Sequence, residues 1–322
     1  MDNLLVAVRA VHYIATLVVF GELCFAWIAA ERRASRAEPA HSDGASATAA
    51  RRFRRVMVAA WICMVASAAG WLALVSLQIT DRPPAEALAP RALAVVLAST
   101  VFGHAWSVRA ALALAMAAIL LASHGRGLHR SWPLAVTGAC AAGVLAALAW
   151  AGHANADLGA ASVVHHAADA AHLLAAGVWL GGLLPLSALL QRLGRSPSVA
   201  ALERGADTVA RFGNWAAASV AVLILSGLVN AYYLVPAPRA LLQTAYGNLL
   251  LLKLGVFIAM LAIAAVNRTR LTTALHAAGA GSAGPAAAAA RLRRNVWIEQ
   301  ALAATIVLLV ATLGITPPPM RS

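Results

Sequence analysis

Residues 167–190 read AADAAHLLAAGVWLGGLLPLSALL, a run in which Asp169 and His172 are the only ionisable side chains. A helix needs about 20 apolar residues to cross the hydrocarbon core of a bilayer, so this run predicts a transmembrane helix. The chain contains eight such runs: 4–30, 56–80, 100–123, 133–150, 167–190, 212–235, 247–266 and 296–316. We therefore predict an all-α, polytopic membrane protein of about eight transmembrane helices.

The composition of the whole chain also indicates a membrane protein. Of its 322 residues, 61% are hydrophobic and 11% are charged, and the mean hydropathy is +0.77. A soluble domain could not cover so much apolar surface with polar groups. The formal net charge of +13 comes mainly from arginines in the loops between spans, so it indicates membrane orientation and excludes nucleic acid as the expected partner. We predict a multi-pass protein of the bacterial inner membrane.

Basic residues are distributed unevenly between the loops. The loops after the first, third, fifth and seventh spans contain 18 of the 25 Lys and Arg residues. Because cytoplasmic loops accumulate these residues, the N- and C-termini are predicted to be periplasmic. On this topology, residues 31–55 form a basic cytoplasmic loop, residues 268–295 a cytoplasmic linker, and residues 85–99 a helix lying on the periplasmic face of the membrane.

Two motifs recur in the two halves of the chain. His12 is followed by Gly21 in the first span, and His172 is followed by Gly181 at the same offset in the fifth. The third and seventh spans share a Thr, an aromatic residue, a Gly and a basic residue at equal offsets: Thr100, Phe102, Gly103 and Arg109, and Thr244, Tyr246, Gly247 and Lys253. These matches predict two parallel four-helix repeats, residues 1–155 and 156–322.

Six of the ten histidines lie at or near the predicted periplasmic side. His165, Asp169 and His172 share one face of the fifth span, and Trp179 continues that face inward. Ionisable groups inside spans are costly and often mark a pathway or site. Imidazole and carboxylate suit Cu(II), Zn(II), Ni(II) or iron. The candidate metal ligands are His12, His104, His153, His165, His166, Asp169 and His172. The alternative is that these side chains form hydrogen bonds between packed helices, each worth about 1 kcal/mol.

Other polar residues within spans also have more than one interpretation. Arg109 and Lys253 hold an anion, such as a haem propionate, tune a metal by repulsion, or extend toward the membrane interface. Glu22 and Glu299 are either proton or cation relays or partners of nearby arginines. The three cysteines, Cys24, Cys63 and Cys140, either form a soft exit site for Cu(I) or pack as small apolar residues, and packing is favoured.

Several motifs together resemble the copper resistance protein D (CopD) family. They are Gly152-His153-Ala154, the run from His172 to Leu183, the run from Thr244 to Lys253, Asn267-Arg268, Glu299 and Pro317. The resemblance covers most of the chain and is most specific in its second half. It implies an inner-membrane protein that moves copper ions from the periplasm to the cytoplasm. It also implies a separate periplasmic copper-binding protein of the CopC type as a partner.

A second function stays open at this point. The repeated His and Arg or Lys positions are similar to those of a four-helix, haem-binding membrane oxidase family. That similarity implies a haem-binding or redox protein with His12 and His172 as axial ligands near Arg109 and Lys253. The oxidation state of a copper cargo is open as well. Because no nucleophile, base and orienting group can be assembled from these motifs, we expect no enzyme.

Reporter fusions test the predicted orientation. Alkaline phosphatase requires disulfides that form only in the periplasm. We expect a fusion after Ser322 to be active and a fusion after Arg195, in the loop after the fifth span, to be inactive. Green fluorescent protein fused at the same two positions should give the opposite pattern. Phosphatase activity at Arg195 and none at Ser322 would reverse the topology.

Overall fold

The computed structural model describes residues 1–35, 44–122, 131–152, 159–195, 199–271 and 284–319. Within them the helices are, in chain order, α1 (Asp2–Ser35), α2 (Gly44–Thr80), α3 (Pro84–Ala87), α4 (Pro90–Ser99), α5 (Val101–Ala122), α6 (Ser131–Ala146), α7 (Gly159–Leu193), α8 (Val199–Leu234), α9 (Ala240–Gln243), α10 (Ala245–Val266) and α11 (Gly284–Leu313). A 3₁₀ turn, Ala147–Ala151, extends α6, and a π-helical turn, Asn267–Leu271, extends α10. No β-strand occurs in the described part of the chain.

Eight of these helices are long and apolar enough to cross a membrane, which confirms the predicted fold class. They are α1, α2, α5, α6, α7, α8, α10 and α11. Several extend beyond the predicted spans into the segments assigned as loops. Helix α2 already begins at Gly44, inside the predicted loop 31–55, and α11 begins at Gly284, inside the predicted linker 268–295. Residues 286–290 are all alanine, and this run suggested a flexible linker. Alanine has the highest helix propensity of any residue type, so the run forms helix instead.

The predicted surface segment 85–99 forms the two short helices α3 and α4. Each begins with a proline, Pro84 or Pro90, at its first position. The fixed φ of proline suits this position, where no helical partner for its missing N–H is needed. Ser76 of α2 donates a hydrogen bond to the Ala87 carbonyl oxygen at 2.7 Å, which attaches the end of α3 to the bundle.

Helices α1 and α7 form the centre of the bundle. Among the described spans, these two alone have more than half of their most apolar stretch buried by other helices. They cross at Gly21 and Gly181, where a Cβ on either glycine would overlap the backbone of the other helix. Small residues at such crossings let membrane helices approach closely enough for extensive van der Waals contact. The repeated Gly therefore marks the central helix contact.

The Thr-x-aromatic-Gly motif begins α5 and α10. The Thr100 hydroxyl accepts a hydrogen bond from the Gly103 N–H at 2.8 Å, and Thr244 accepts one from Gly247 at 3.0 Å. Such N-caps satisfy a backbone N–H that has no helical partner and typically contribute about 1 kcal/mol. A Cβ at Gly103 would overlap the backbone of α4, and one at Gly247 would overlap that of α9. The motif thus starts a span and packs it against the preceding short helix.

Helix pairs in the first half have counterparts in the second. Helix α1 packs on α2 and α6, as α7 packs on α8 and α11, and the pairs α5–α6 and α10–α11 also correspond. The central helices also contact each other's outer neighbours, with α1 against α11 and α7 against α6. These matched contacts support the predicted duplication. The parallel repeat and the periplasmic termini stay predictions.

Substitution at the glycine crossing tests its importance. Gly181→Ala should lower the free energy of unfolding by about 1–3 kcal/mol, because the added methyl group overlaps the α1 backbone. Gly255→Ala is the matched control, since a Cβ at this α10 position has no atom within 4 Å. Thermal unfolding of the detergent-purified protein measures both. Equal melting temperatures for the two variants would contradict the assignment of the central contact.

Candidate functional site

The polar residues of the fifth span lie near the beginning of α7. His165 and His166 are buried, whereas Asp169 and His172 are half-buried. Asp169 lies three to four residues after the two adjacent histidines and three residues before His172, so the four side chains occupy neighbouring positions on the helix. We refer to these four residues as the α7 cluster. It contains four of the seven predicted ligands.

Aromatic rings hold the two adjacent histidines. His165 stacks on Tyr233 of α8 with ring centres 4.8 Å apart, and His166 stacks on Trp150 with centres 4.9 Å apart. The His166 Nδ1 atom also lies 2.7 Å from the Ser162 carbonyl oxygen. A carbonyl oxygen can only accept, so this Nδ1 carries the proton. These contacts orient both imidazole rings.

Asp169 places a carboxylate among basic groups. Its Oδ1 atom accepts a hydrogen bond from the Asn230 amide of α8 at 3.3 Å. It also interacts electrostatically with Lys253 of α10 and with His165 and His166. A carboxylate inside a membrane bundle is costly unless polar or positive groups surround it. Helices α7, α8 and α10 together supply these groups.

His172 is fixed through one ring nitrogen. Its Nδ1 atom lies 3.0 Å from the Ser226 hydroxyl oxygen, and that hydroxyl donates to the Val222 carbonyl oxygen at 2.6 Å. Ser226 therefore accepts from His172, so the Nδ1 atom carries the proton and Nε2 keeps its lone pair. No hydrogen bond to Nε2 is found within the described residues, while the Leu223 carbonyl oxygen and the Lys253 charge also act on this ring. A hydrogen bond on one imidazole nitrogen is the usual way to orient a histidine whose other nitrogen binds a metal.

His12 has a similar anchor and a different second partner. Its Nδ1 atom lies 3.1 Å from both the Met64 carbonyl oxygen and the Ser67 hydroxyl oxygen of α2. The carbonyl contact requires a proton on Nδ1, so the Nε2 lone pair faces Arg109 Nη1 at 3.3 Å. His12 therefore already uses both ring nitrogens. Its contacts are with α2 and α5, whereas His172 bonds to α8.

The remaining predicted residues lie apart from these contacts. His104 is exposed, and its Nε2 atom donates to the Ala98 carbonyl oxygen of α4 at 2.9 Å. His153 lies outside the described residues. Trp179 is buried in the apolar core, with its ring 6.1 Å from that of Phe257. Within the described residues, no group of three or more His, Cys, Asp or Glu side chains is arranged to hold a metal ion.

The two glutamates lie toward the arginine-rich ends of their helices, and both are buried. Glu22 forms an ion pair with Arg52 at 3.1 Å, and Arg52 also donates to the Leu184 carbonyl oxygen of α7. Glu299 instead accepts a 2.7 Å hydrogen bond from Asn267 in the π-helical turn, and Asn267 in turn accepts one from Asn295. Glu22 is thus the partner of an arginine, whereas Glu299 belongs to an amide network.

The structure adds residues that the sequence interpretation missed. Ser67 and Ser226 orient the two repeated histidines, and Asn230 bonds to Asp169. The sequence carries little signal for them, because the residues four positions after Ser67 and Ser226 are the unlike pair Trp71 and Asn230. These serines lie in the second and sixth spans, where the surrounding sequence is less similar.

Together the helices and the polar side chains between them define a multi-pass membrane protein with ionisable groups inside its bundle. Two family models match the chain. The model for the copper resistance protein D-like N-terminal domain matches residues 1–163, and that for copper resistance protein D matches residues 206–313. The chain belongs to the copper resistance protein D family. It is a multi-pass protein of the inner membrane in a family named for copper resistance.

Three relatives support this assignment. Copper resistance protein D of Pseudomonas syringae pv. tomato is 31% identical over 100% of this chain and 99% of its own length. The inner membrane protein YebZ of Escherichia coli is 29% identical over 82% of both chains. The copper transport protein CutJ of Bacillus subtilis is 31% identical over 56% of this chain and 33% of its own. No solved structure matches. The α7 cluster lies between the two family-model segments, inside the full-length match to the Pseudomonas protein.

Proposed function

We propose that this protein moves copper ions from the periplasm to the cytoplasm and that the α7 cluster receives them. The observation that carries this proposal is the arrangement around Asp169 and His172. A carboxylate and an imidazole with an unpartnered nitrogen lie within the bundle, and partners on α8 orient both. The copper-related names of the relatives supply the identity of the cargo.

The donor set suits copper chemically. Imidazole nitrogen and carboxylate oxygen bind Cu(II) well, whereas Cu(I) prefers the sulfur of Cys and Met. His165, His166, Asp169 and His172 contribute nitrogen and oxygen donors, and we propose Cu(II) as the form that enters. His165 and His166 would have to turn away from their aromatic partners to share one ion with Asp169. The stacked state is therefore the arrangement before copper binds.

The other predicted ligands take different roles in this proposal. His104 and His153, both predicted from the sequence to be periplasmic, would guide copper toward Asp169. His12 binds copper only after Arg109 leaves its Nε2 atom, which lies 3.3 Å away. His172 needs no such movement. The α7 cluster is therefore the first binding position, and His12 is a later one.

A separate periplasmic protein of the CopC type would deliver the copper, as the family resemblance implies. The haem-binding alternative has no comparable support. The names of the matched families and of two relatives refer to copper, and His12 has both ring nitrogens engaged by protein atoms. We therefore propose that the protein binds copper and not haem.

Variants of the cluster test copper binding. Asp169→Asn removes the negative charge, and His172→Gln removes the available imidazole nitrogen. Each should weaken Cu(II) binding to the purified protein by about tenfold or more, since one removes a carboxylate charge and the other an imidazole nitrogen. Competition with a copper chelator measures the affinity. Glu86→Gln, which removes an exposed carboxylate at the same end of the bundle, is the matched control. Unchanged affinity in both cluster variants would refute the site.

Cellular copper content tests the direction of transport in the same strains. Cells expressing the wild-type protein should accumulate more copper than cells expressing the Asp169→Asn variant at equal protein levels. Lower accumulation with the wild-type protein would indicate export and contradict the proposed direction. Equal accumulation in the presence of normal copper binding would contradict transport.

A further inference from the structure

Two arginines are buried inside the first half of the bundle. Arg9 of α1 is 6% exposed and Arg109 of α5 is 4% exposed. Both lie within membrane-spanning helices. Arginine is always protonated in proteins, so two positive charges are enclosed here. Charged groups at such positions are expensive unless they are paired.

The protein partners of these arginines are all neutral. Arg9 Nη2 donates to the Tyr13 hydroxyl oxygen at 3.1 Å. Arg109 Nε donates to the Ala105 carbonyl oxygen at 3.3 Å, and Nη1 faces the neutral His12 ring. No carboxylate of the described residues pairs with either guanidinium group. The nearest acidic residue along α1, Asp2, is exposed and lies seven residues earlier.

Each arginine also has a buried N–H without an acceptor. The Arg9 Nε and Arg109 Nη2 atoms are enclosed and have no hydrogen-bond partner in the described part of the chain. Most buried polar groups in proteins are hydrogen-bonded, so each exception calls for a partner that protein atoms do not supply. Here the two N–H groups without an acceptor belong to two positively charged side chains, so an anion is the partner that they lack.

Trp71 brings the two groups together. The guanidinium carbon of Arg9 lies 4.8 Å from the Trp71 ring centre, and that of Arg109 lies 5.3 Å from it. The two carbons are therefore separated by no more than about 10 Å, the sum of these distances. A ring face attracts a cation, but it removes no net charge. The repulsion between the two cations remains uncompensated by protein groups.

The second half of the chain shows the contrast. Asp169 follows Arg9 by 160 residues, as His172 follows His12, so a carboxylate takes the position of Arg9 in the second half. There Asp169 compensates Lys253, the counterpart of Arg109. The first half has the basic residue and lacks the acid. A bound anion would compensate Arg109 in the first half, as Asp169 compensates Lys253 in the second.

We propose that Arg9 and Arg109 bind a small anion beside Trp71, with chloride or a carboxylate as the chemical class. The two guanidinium groups would donate charge-assisted hydrogen bonds to the anion through the N–H groups that have no protein acceptor. We propose a small ligand because the chain packs closely against Arg9 immediately after α11. A Cβ at Gly314 would overlap the Arg9 guanidinium group. The site is independent of copper binding at the α7 cluster.

Equilibrium binding of radioactive chloride tests the proposal. The protein is placed in nanodiscs of phosphatidylcholine, in copper-free gluconate buffer, because the six-carbon gluconate ion is larger than the small anions proposed. We expect saturable binding of about one chloride per chain, and at least tenfold weaker binding in Arg9→Gln and Arg109→Gln. Arg91→Gln, which removes an exposed arginine of α4, is the matched control and should bind normally. Equal binding by all four proteins would overturn the proposal.

Competitors identify the natural anion. Displacement of chloride by acetate would extend the site to carboxylates, whereas displacement by phosphatidylglycerol in the nanodisc would contradict a small-anion site and assign the arginines to a lipid phosphate. If the glutamine variants do not fold, the anion site can still be tested on the wild-type protein by thermal unfolding. Its melting temperature should rise saturably when chloride replaces gluconate. Absence of saturable binding and of this stabilisation, with chloride and acetate alike, would refute the anion site.

Discussion

The close contact between α1 and α7 at Gly21 and Gly181 determines how the rest of the bundle is arranged. Neither glycine can carry a side chain without overlapping the other helix. In lipid, where helices gain little from excluding water, such close packing is a main source of association. His12 and His172 each lie nine residues before these glycines, so the contact also sets the depth of both histidines. The outer helices then supply their partners, Ser67 from α2 and Ser226 from α8.

The two halves use this shared framework for opposite charges. In the second half, Asp169 gives the polar interior an acid among histidines and Lys253, which suits a metal cation. In the first half, Arg9 and Arg109 surround Trp71 and make the interior positive. A copper ion would therefore meet an acidic group first in the second half, and Arg109 would have to move before copper could reach His12 in the first half. This difference gives a physical reason for placing the first copper-binding position on α7.

The spans and the repeated motifs could be predicted because they depend on local sequence. Hydropathy identifies a span from its own residues, and the Thr and Gly at the start of α5 and α10 act within one helix end. The partners of the polar residues depend on helix rotation, which hydropathy does not give. The contact between His12 and Arg109 therefore could not be predicted, although both residues had been singled out. The equivalence of Arg9 and Asp169 in the two repeats is not evident from residue type, because the two side chains carry opposite charges.

X-ray absorption spectroscopy at the copper edge tests the central claim most directly. The account predicts that the copper-loaded protein has nitrogen and oxygen ligands, with the outer-shell scattering of imidazole rings, and that this signal is lost in the Asp169→Asn, His172→Gln double variant. A first shell dominated by sulfur would instead place the copper at Cys24, Cys63 or Cys140. That result, or an imidazole signal unchanged in the double variant, would contradict a copper site on α7.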